Sequence, residues 1–226
     1  MGAELLQGIH VAPSILSADY ARLGEQVREV TDAGARVIHV DVMDGHFVPP
    51  LTIGPPAVSA LREQVSAVGG MLEVHLMVER PERHVADFAR AGADLIIVHA
   101  EATPNVHYAL HSVRESGAAA GLAICPATPV SAVSESVGDT ALFLCMTVDP
   151  GWGGQPFIAS SLDKIARLRD TIGAGPALEV DGGIETETAG PCAAAGATRF
   201  VAGSAIFAAP EPAEAYRAIV EAVGAA

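Results

Sequence analysis

The sequence predicts a (β/α)8 barrel, formed as one domain by residues 1–226. Eight short apolar runs rich in Val, Ile and Leu alternate with longer segments of helical periodicity from end to end. Strands of this kind suit a parallel sheet covered on both faces. The repeat is roughly 28 residues long, without a linker or a low-complexity break, which favours a closed barrel over a doubly wound open sheet.

The eight candidate strands share a short length and an aliphatic composition. They are residues 9–14, 37–42, 71–76, 95–100, 121–126, 142–147, 177–182 and 199–204. Residues 20–33 carry apolar side chains at spacings of three and four, which predicts a helix. Residues 81–91 open with a proline and end before a glycine, which predicts a second one. The tripeptide Ala-Gly-Ala recurs before strands at Gly34, Gly92 and Gly196, where glycine suits a helix C-cap.

Composition excludes several classes of partner. Thirteen Lys and Arg against 27 Asp and Glu give a formal net charge of -14. This balance argues against nucleic acid or an anionic membrane as the main partner. An anionic substrate therefore has to be held by local backbone groups rather than by the overall field.

Cysteine usage, the first residues and the absence of a long apolar stretch predict a cytoplasmic location. Cys125, Cys145 and Cys192 form no CxxC pair, which is typical of small buried side chains in a reducing compartment. The first residues lack the basic region of a signal peptide. The longest uncharged stretch, residues 116–134, contains prolines and polar residues and is not a membrane span.

Polar residues that follow the apolar runs are the candidates for chemistry, because barrel active sites form at the carboxyl ends of the strands. Side chains alternate along a strand, so His39, Asp41 and Met43 share one face. The intervening valines suit the helix layer, so this face points into the barrel mouth. His75 and Asp181 end two further strands.

The convergence of His39, Asp41, His75 and Asp181 predicts a divalent transition-metal site. Each residue alone is also explained as a hydrogen-bonded group at a barrel rim, but four at matching strand ends favour a site. Two carboxylates on opposite sides of one carbon can remove a proton from one face and deliver one to the other, with a metal stabilising the enediolate. One aspartate must then be ionised while the other is protonated.

Glycine-containing loops after the last three candidate strands predict a phosphate site built from backbone N–H groups. The loops contain Gly151, Gly153, Gly154, Gly182, Gly183, Gly203 and Ser204. The composition of the first of these loops is also consistent with a mobile lid, in which Trp152 and Pro156 close over the ligand. Met43, Met77 and Met146 fall at or near strand ends; each alone suits core filling, and together they suit an apolar wall around the reacting carbon.

These residues resemble the ribulose-phosphate 3-epimerase family. The matching blocks run in family order from about residue 9 to residue 208. They are PSILSAD from Pro13, HVDVMDGHFVP from His39, VHLMV from Val74, AGADLIIVHAEA from Ala91, PATP from Pro126, PGWGGQ from Pro150, EVDGGI from Glu179 and VAGSAIF from Val201.

The resemblance implies one divalent ion (zinc, iron(II), manganese or cobalt) on His39, Asp41, His75 and Asp181. It implies Asp41 as the base and Asp181 as the acid in the ribulose-to-xylulose direction. It also implies sugar contacts from Ser14 and His75, and phosphate contacts from residues 151–154, 182–183 and 203–204. A homo-oligomer acting on a phosphorylated ketose is expected.

Three departures from the family pattern are Trp152 in place of the usual Phe, Asp149 in place of Asn, and Glu73 in place of Asp. Trp152 leaves the choice between five- and six-carbon ketose phosphates, such as allulose 6-phosphate, open. A sugar-phosphate decarboxylase is disfavoured because the chain has one lysine, Lys164, inside a helical segment. A non-catalytic phosphosugar-binding barrel is disfavoured because both aspartates are present.

Overall fold

The computed structural model describes residues 4–224 and contains one eight-stranded parallel sheet. Neighbouring strands follow the order β1-β8-β7-β6-β5-β4-β3-β2. The strands are β1 (His10–Pro13), β2 (Val37–Met43), β3 (Met71–Met77), β4 (Leu95–His99), β5 (Ala119–Ile124), β6 (Leu142–Met146), β7 (Ala177–Asp181) and β8 (Arg199–Ala202).

The sheet closes on itself through its first strand. β1 pairs with β8 along its whole length, and Ser14, directly after β1, forms a parallel bridge with His39 of β2. Strand order therefore follows chain order around a ring, which confirms the predicted barrel and excludes the doubly wound sheet.

Between residues 4 and 224, eight α-helices lie between and after the strands. They are α1 (Leu23–Asp32), α2 (Pro55–Ala67), α3 (Val85–Ala91), α4 (Val106–Glu115), α5 (Ser161–Ile172), α6 (Thr186–Ala194), α7 (Ser204–Phe207) and α8 (Pro212–Ala222). No helix between residues 4 and 224 is long and apolar enough to cross a membrane.

Both predicted helices were too long at their N-terminal ends. The 20–33 segment begins with a 3₁₀ turn, Tyr20–Arg22, capped by the Asp19 side chain, and α1 starts only after it. The 81–91 segment likewise begins with a 3₁₀ turn at Pro81, which follows the left-handed residue Arg80, before α3. Proline and side-chain capping favour a tight first turn here.

The connection between β5 and β6 is the 3₁₀ segment Val130–Asp139 rather than an α-helix. Ser134 donates a hydrogen bond to the carbonyl oxygen of Ser131, and Thr140 donates one to that of Ser136. Such side chains compete with the α-helical bonding pattern for backbone carbonyls. The Ala-Gly-Ala glycines all follow helices in the left-handed region, at φ values of 116°, 107° and 106°, as the C-cap prediction requires.

Strand alternation divides the core into two layers. On β2, Ile38, Val40 and Val42 pack in the large cluster between the sheet and the helices. Val37 belongs instead to the cluster inside the barrel, and His39 and Asp41 share its strand face. The predicted inward orientation of these polar residues is therefore correct.

A buried ionic network lies inside the barrel beneath the strand ends. Arg199 donates a hydrogen bond of 2.5 Å from Nη1 to Oε2 of Glu73. Although burial alone would raise the pKa of Glu73, Arg199 and then His39 lower it to about 2. Burial, and then Glu73, raise the pKa of the neighbouring Glu179 well above its usual range. Glu73 is thus the charged partner of Arg199, while Glu179 is neutral.

Arg199→Met is expected to lower the free energy of unfolding by about 3–5 kcal/mol, because it leaves a buried carboxylate without its cation. Urea unfolding at pH 7 measures this difference. Arg217→Met, which removes an exposed arginine from α8, is the control and should change stability little. Equal effects of the two substitutions would contradict a stabilising role for the buried pair.

Candidate active site

Four metal-ligating side chains meet at the carboxyl ends of three strands. His39 and Asp41 come from β2, His75 from β3 and Asp181 from the end of β7. One donor atom of each lies within 4.8 Å of the donor atoms of the others. The structure therefore brings the four predicted residues together.

Asp41 lies at the centre of this cluster. Its Oδ1 is 3.3 Å from Nε2 of His39 and 3.0 Å from Nδ1 of His75. Its Oδ2 accepts a 2.6 Å hydrogen bond from the Ser14 hydroxyl. Nδ1 of His75 is also 3.6 Å from Oδ2 of Asp181, so this nitrogen faces both carboxylates.

The two aspartates have opposite protonation behaviour. Burial alone would raise the pKa of Asp41, but His39 and then His75 lower it well below its usual range. Burial raises the pKa of Asp181 to about 7, and the negative charge of Asp41 adds to this effect. At neutral pH the cluster therefore contains one ionised carboxylate and one that readily holds a proton.

The pKa values of the two imidazoles are also shifted in opposite directions. Burial lowers the pKa of His75 to about 4, so this ring is neutral and can act as a ligand. Burial alone would lower the pKa of His39, but Asp41 and then Glu73 raise it well above its usual range. The carboxylates therefore attract a positive charge to this position, which is the electrostatic requirement for a divalent cation. Two imidazoles and two carboxylates suit zinc, iron(II), manganese or cobalt.

The hydrogen bonds of His39 indicate which of its nitrogens faces the cluster. Nδ1 of His39 lies 2.7 Å from Oε1 of Glu73, and Nε2 faces Asp41. A Glu73–His39 bond places the ring hydrogen on Nδ1 and leaves Nε2 available as a ligand. Glu73, which departs from the family pattern, thus orients a candidate ligand while pairing with Arg199.

A cavity of about 470 Å³ opens above the cluster. Asp41 and Asp181 line its floor. His39 and His75 are fully buried below the floor and are not among the lining residues. The other predicted site residues all line the cavity: Ser14, Met43, Met77, Met146, Gly151, Trp152, Gly153, Gly154, Gly182, Gly183, Gly203 and Ser204.

The methionines line two sides of the cavity. Met43 and Met77 pack together with Val48, whereas Met146 belongs to the cluster inside the barrel. Gly183, which also lines the cavity, has a left-handed φ of 65°, and a Cβ there would lie 2.6 Å from the backbone nitrogen of Phe157. A side chain at position 183 is therefore excluded by both conformation and space.

The loop after β6 covers one side of the cavity. The side chain of Gln155 donates hydrogen bonds to the carbonyl oxygens of Asp149, at 2.6 Å, and Trp152, at 2.9 Å. These bonds fold the loop on itself. Trp152 is 60% exposed and also lines the cavity, so it borders both solvent and the space below.

Several residues of the site were missed from the sequence. Ser17, Val148 and Phe157 line the cavity, and His99 and Glu101 lie behind His75. His99 ends the apolar strand β4. The criterion that selected His39 and His75, a polar residue at the end of an apolar run, would also have selected His99.

Fold and site together define a parallel (β/α)8 barrel enzyme with a cluster of two carboxylates and two imidazoles at the mouth of the barrel. Residues 10–207 match the model of the ribulose-phosphate 3 epimerase family. The chain is 49% identical over 203 residues to ribulose-phosphate 3-epimerase of Bacillus subtilis, covering 88% of this chain and 92% of the relative. It is 48% identical over 204 residues to that of Escherichia coli K12, covering 89% and 90%. The chain belongs to this family.

Solved structures of low sequence identity support the fold. KGPDC from Streptococcus mutans aligns with a TM-score of 0.74 at 17% identity, covering 97% of this chain and 99% of that one. Orotidine 5'-phosphate decarboxylase from Pyrococcus horikoshii aligns with a TM-score of 0.71 at 19% identity, covering 95% and 99%. At such identities the likeness concerns the barrel alone.

Asp181→Asn is expected to change how stability depends on pH in chelator-treated protein. In the unfolded chain Asp181 loses its proton near pH 4, whereas in the folded chain it keeps it to about pH 7. The free energy of unfolding of the wild type therefore falls as pH rises from about 4 to about 7, because only the unfolded chain releases this proton there. Asn at position 181 carries no such proton and removes this dependence.

Urea unfolding between pH 4 and 8 tests this expectation. The free energy of unfolding of the wild type should fall relative to that of Asp181→Asn up to about pH 7, and the difference should then level off. The exposed Asp163→Asn serves as the control. Parallel curves for wild type and Asp181→Asn would contradict the raised pKa.

Proposed function

We propose that the chain interconverts D-ribulose 5-phosphate and D-xylulose 5-phosphate by inverting C3 through an enediolate. The observation that carries the proposal is the pair of aspartates at one cavity floor, with the pKa of Asp41 lowered and that of Asp181 raised to about 7. Inversion by two bases needs this combination, because one group takes a proton while the other gives one.

In the ribulose-to-xylulose direction, Asp41 removes the C3 proton from one face. The Ser14 hydroxyl and the His75 ring hold its carboxylate in a fixed orientation. Asp181 delivers its proton to the opposite face. The methionine side chains exclude water from the planar intermediate, so that its protonation is left to the aspartates. His39, Asp41, His75 and Asp181 would hold a divalent metal, which would supply the positive charge that an enediolate requires.

The phosphate is assigned to the glycine loops that line the cavity. Gly183, Gly203 and Ser204 are among the lining residues, and backbone N–H groups offer neutral donors to a dianion. In a chain with a net charge of -14, local dipoles of this kind replace an overall attractive field. The cytoplasmic location and the homo-oligomeric state stay predictions.

Among the alternatives, a six-carbon ketose phosphate requires the same chemistry and differs in the room below Trp152. A decarboxylase reaction is disfavoured further by the position of Lys164, whose ammonium donates to the carbonyl oxygens of Cys125 and Pro126. This lysine is not among the residues that line the cavity. A purely binding role leaves the two opposed aspartates without a use.

Deuterium exchange measured separately from each epimer tests the proposal. Asp41→Asn and Asp181→Asn should each lower epimerisation by about 10²–10⁴-fold, because each removes one proton-transfer group. In D2O, Asp181→Asn should still exchange the C3 proton of D-ribulose 5-phosphate, and Asp41→Asn that of D-xylulose 5-phosphate, as followed by NMR. Each variant should return deuterium to the face from which it took the proton.

The wild type reconstituted with iron(II), zinc or manganese is the positive control, and Asp163→Asn should match it. If Asp181→Asn exchanged only D-xylulose 5-phosphate and Asp41→Asn only D-ribulose 5-phosphate, the roles of base and acid would be reversed. No exchange or product from either pentulose phosphate with any metal, combined with turnover of allulose 6-phosphate, would replace the five-carbon assignment. No reaction with either class would overturn the catalytic proposal.

Trp152→Phe is expected to shift preference toward the longer substrate, since a smaller ring leaves more space in the cavity. The ratio of kcat/KM for allulose 6-phosphate to kcat/KM for D-ribulose 5-phosphate should rise by up to about tenfold. Steady-state kinetics with both substrates measures the ratio, and Tyr108→Phe, at an exposed position on α4, is the control. An unchanged ratio would mean that Trp152 does not select chain length.

A further inference from the structure

A chain of three side chains leads away from the active-site cluster on the side opposite the aspartates. Nε2 of His75 lies 2.8 Å from Nε2 of His99, and both rings are fully buried. Nδ1 of His99 lies 3.2 Å from Oε2 of Glu101. The ring centroids are 5.0 Å apart and the ring planes are inclined by only 23°, as expected for two imidazoles that meet edge to edge in a hydrogen bond.

The outer end of this chain is held in place. Oε1 of Glu101 accepts hydrogen bonds from the backbone N–H of Cys125, at 2.7 Å, and from the Thr128 hydroxyl. The ring of Phe47 packs on His99 with its centroid 4.9 Å away. Both Glu101 and His99 therefore have fixed positions relative to β4.

Counting hydrogens assigns a direction to the chain. Nδ1 of His75 faces Asp41 and Asp181, so as a metal ligand it carries no hydrogen, and the neutral ring holds its hydrogen on Nε2. His99 must then accept at Nε2 and carry its own hydrogen on Nδ1. That hydrogen points at the Glu101 carboxylate, so one arrangement satisfies both contacts.

The same count excludes a second cation site beside the first. His99, Glu101 and Cys125 lie close enough to hold a metal, with the Cys125 sulfur 3.6 Å from Nδ1 of His99. A metal on Nδ1 would move the hydrogen of neutral His99 to Nε2, opposite the Nε2 hydrogen of His75. Two hydrogens do not fit between nitrogens 2.8 Å apart. The two sites are therefore mutually exclusive when both rings are neutral.

We propose that His99 and Glu101 are positioning residues that fix His75 in the tautomer that ligates through Nδ1. The inference rests on the proposed metal site. Hydrogen bonds of this kind to a ligating histidine orient the ring and raise its basicity, and their loss typically weakens metal binding about 10–100-fold. The two ligating histidines are thus supported differently, His39 by Glu73 directly and His75 by Glu101 through a second imidazole.

Metal affinity of matched variants tests the proposal. His99→Phe keeps a flat ring but removes the acceptor, and should weaken Co²⁺ binding about 10–100-fold in a competitive chelator titration. His99→Gln places a carbonyl oxygen near the lost Nε2 and should keep most of the affinity. Glu101→Ala should weaken binding in the same direction, and His107→Gln, at an exposed position on α4, should have no effect.

Imidazole ¹⁵N NMR of the zinc-loaded protein provides a readout independent of activity. The wild type should show His75 protonated at Nε2 with the downfield proton shift of a hydrogen bond to His99, and His99→Phe should keep the proton but lose this downfield shift. If His99→Phe does not fold, the comparison of His99→Gln with Glu101→Ala decides. Equal affinity in Glu101→Ala and wild type, two metal ions per chain, or weaker binding in Cys125→Ala would overturn the proposal. Failure of the wild type itself to bind metal, or binding unaffected by His39→Ala, would overturn the proposed metal site instead.

Discussion

The site depends on the repulsion between two neighbouring carboxylates, one buried and one partly buried, at the mouth of a barrel. Asp41 and Asp181 lie close enough that the charge of one raises the pKa of the other, and burial strengthens the effect. The pair is tolerated because imidazoles face Asp41 and because the site attracts a positive charge. This repulsion lowers folding stability. It also moves the pKa values of the two aspartates apart, so that one can act as an acid and the other as a base.

A second buried layer supports the first. Glu73 contacts both His39 and Arg199. One carboxylate therefore orients a candidate ligand and also balances the charge of Arg199, the only buried arginine between residues 4 and 224. Removing either partner would leave an unpaired charge in a low-dielectric core. This lowers the free energy of unfolding more than replacing both partners by apolar residues would. The floor of the site is thus rigid, whereas its upper part is built from glycine loops and methionines that can adapt to a ligand.

The sequence predicts much of this arrangement because strand geometry is local. The two-residue period along β2 is sufficient to place His39 and Asp41 inside the barrel and the valines outside. It predicts less where partners are distant in the chain. The contact of His75 with His99 depends on the register of the neighbouring strands β3 and β4, which a single sequence does not specify. That of Glu73 with Arg199 joins β3 to β8, which are not paired in the sheet, and so depends on how the barrel closes. The pKa difference between the aspartates likewise follows from burial and spacing, which only the folded chain determines.

X-ray absorption spectroscopy of the zinc-loaded protein tests the central claim most directly. Binding by His39, Asp41, His75 and Asp181 predicts a shell of nitrogen and oxygen atoms at about 2.0–2.2 Å, with multiple scattering from two imidazoles and no sulfur. A zinc–sulfur distance of about 2.3 Å would place the metal at Cys125 instead. A shell with fewer than two imidazoles would also contradict the account, since both histidines face the same carboxylate.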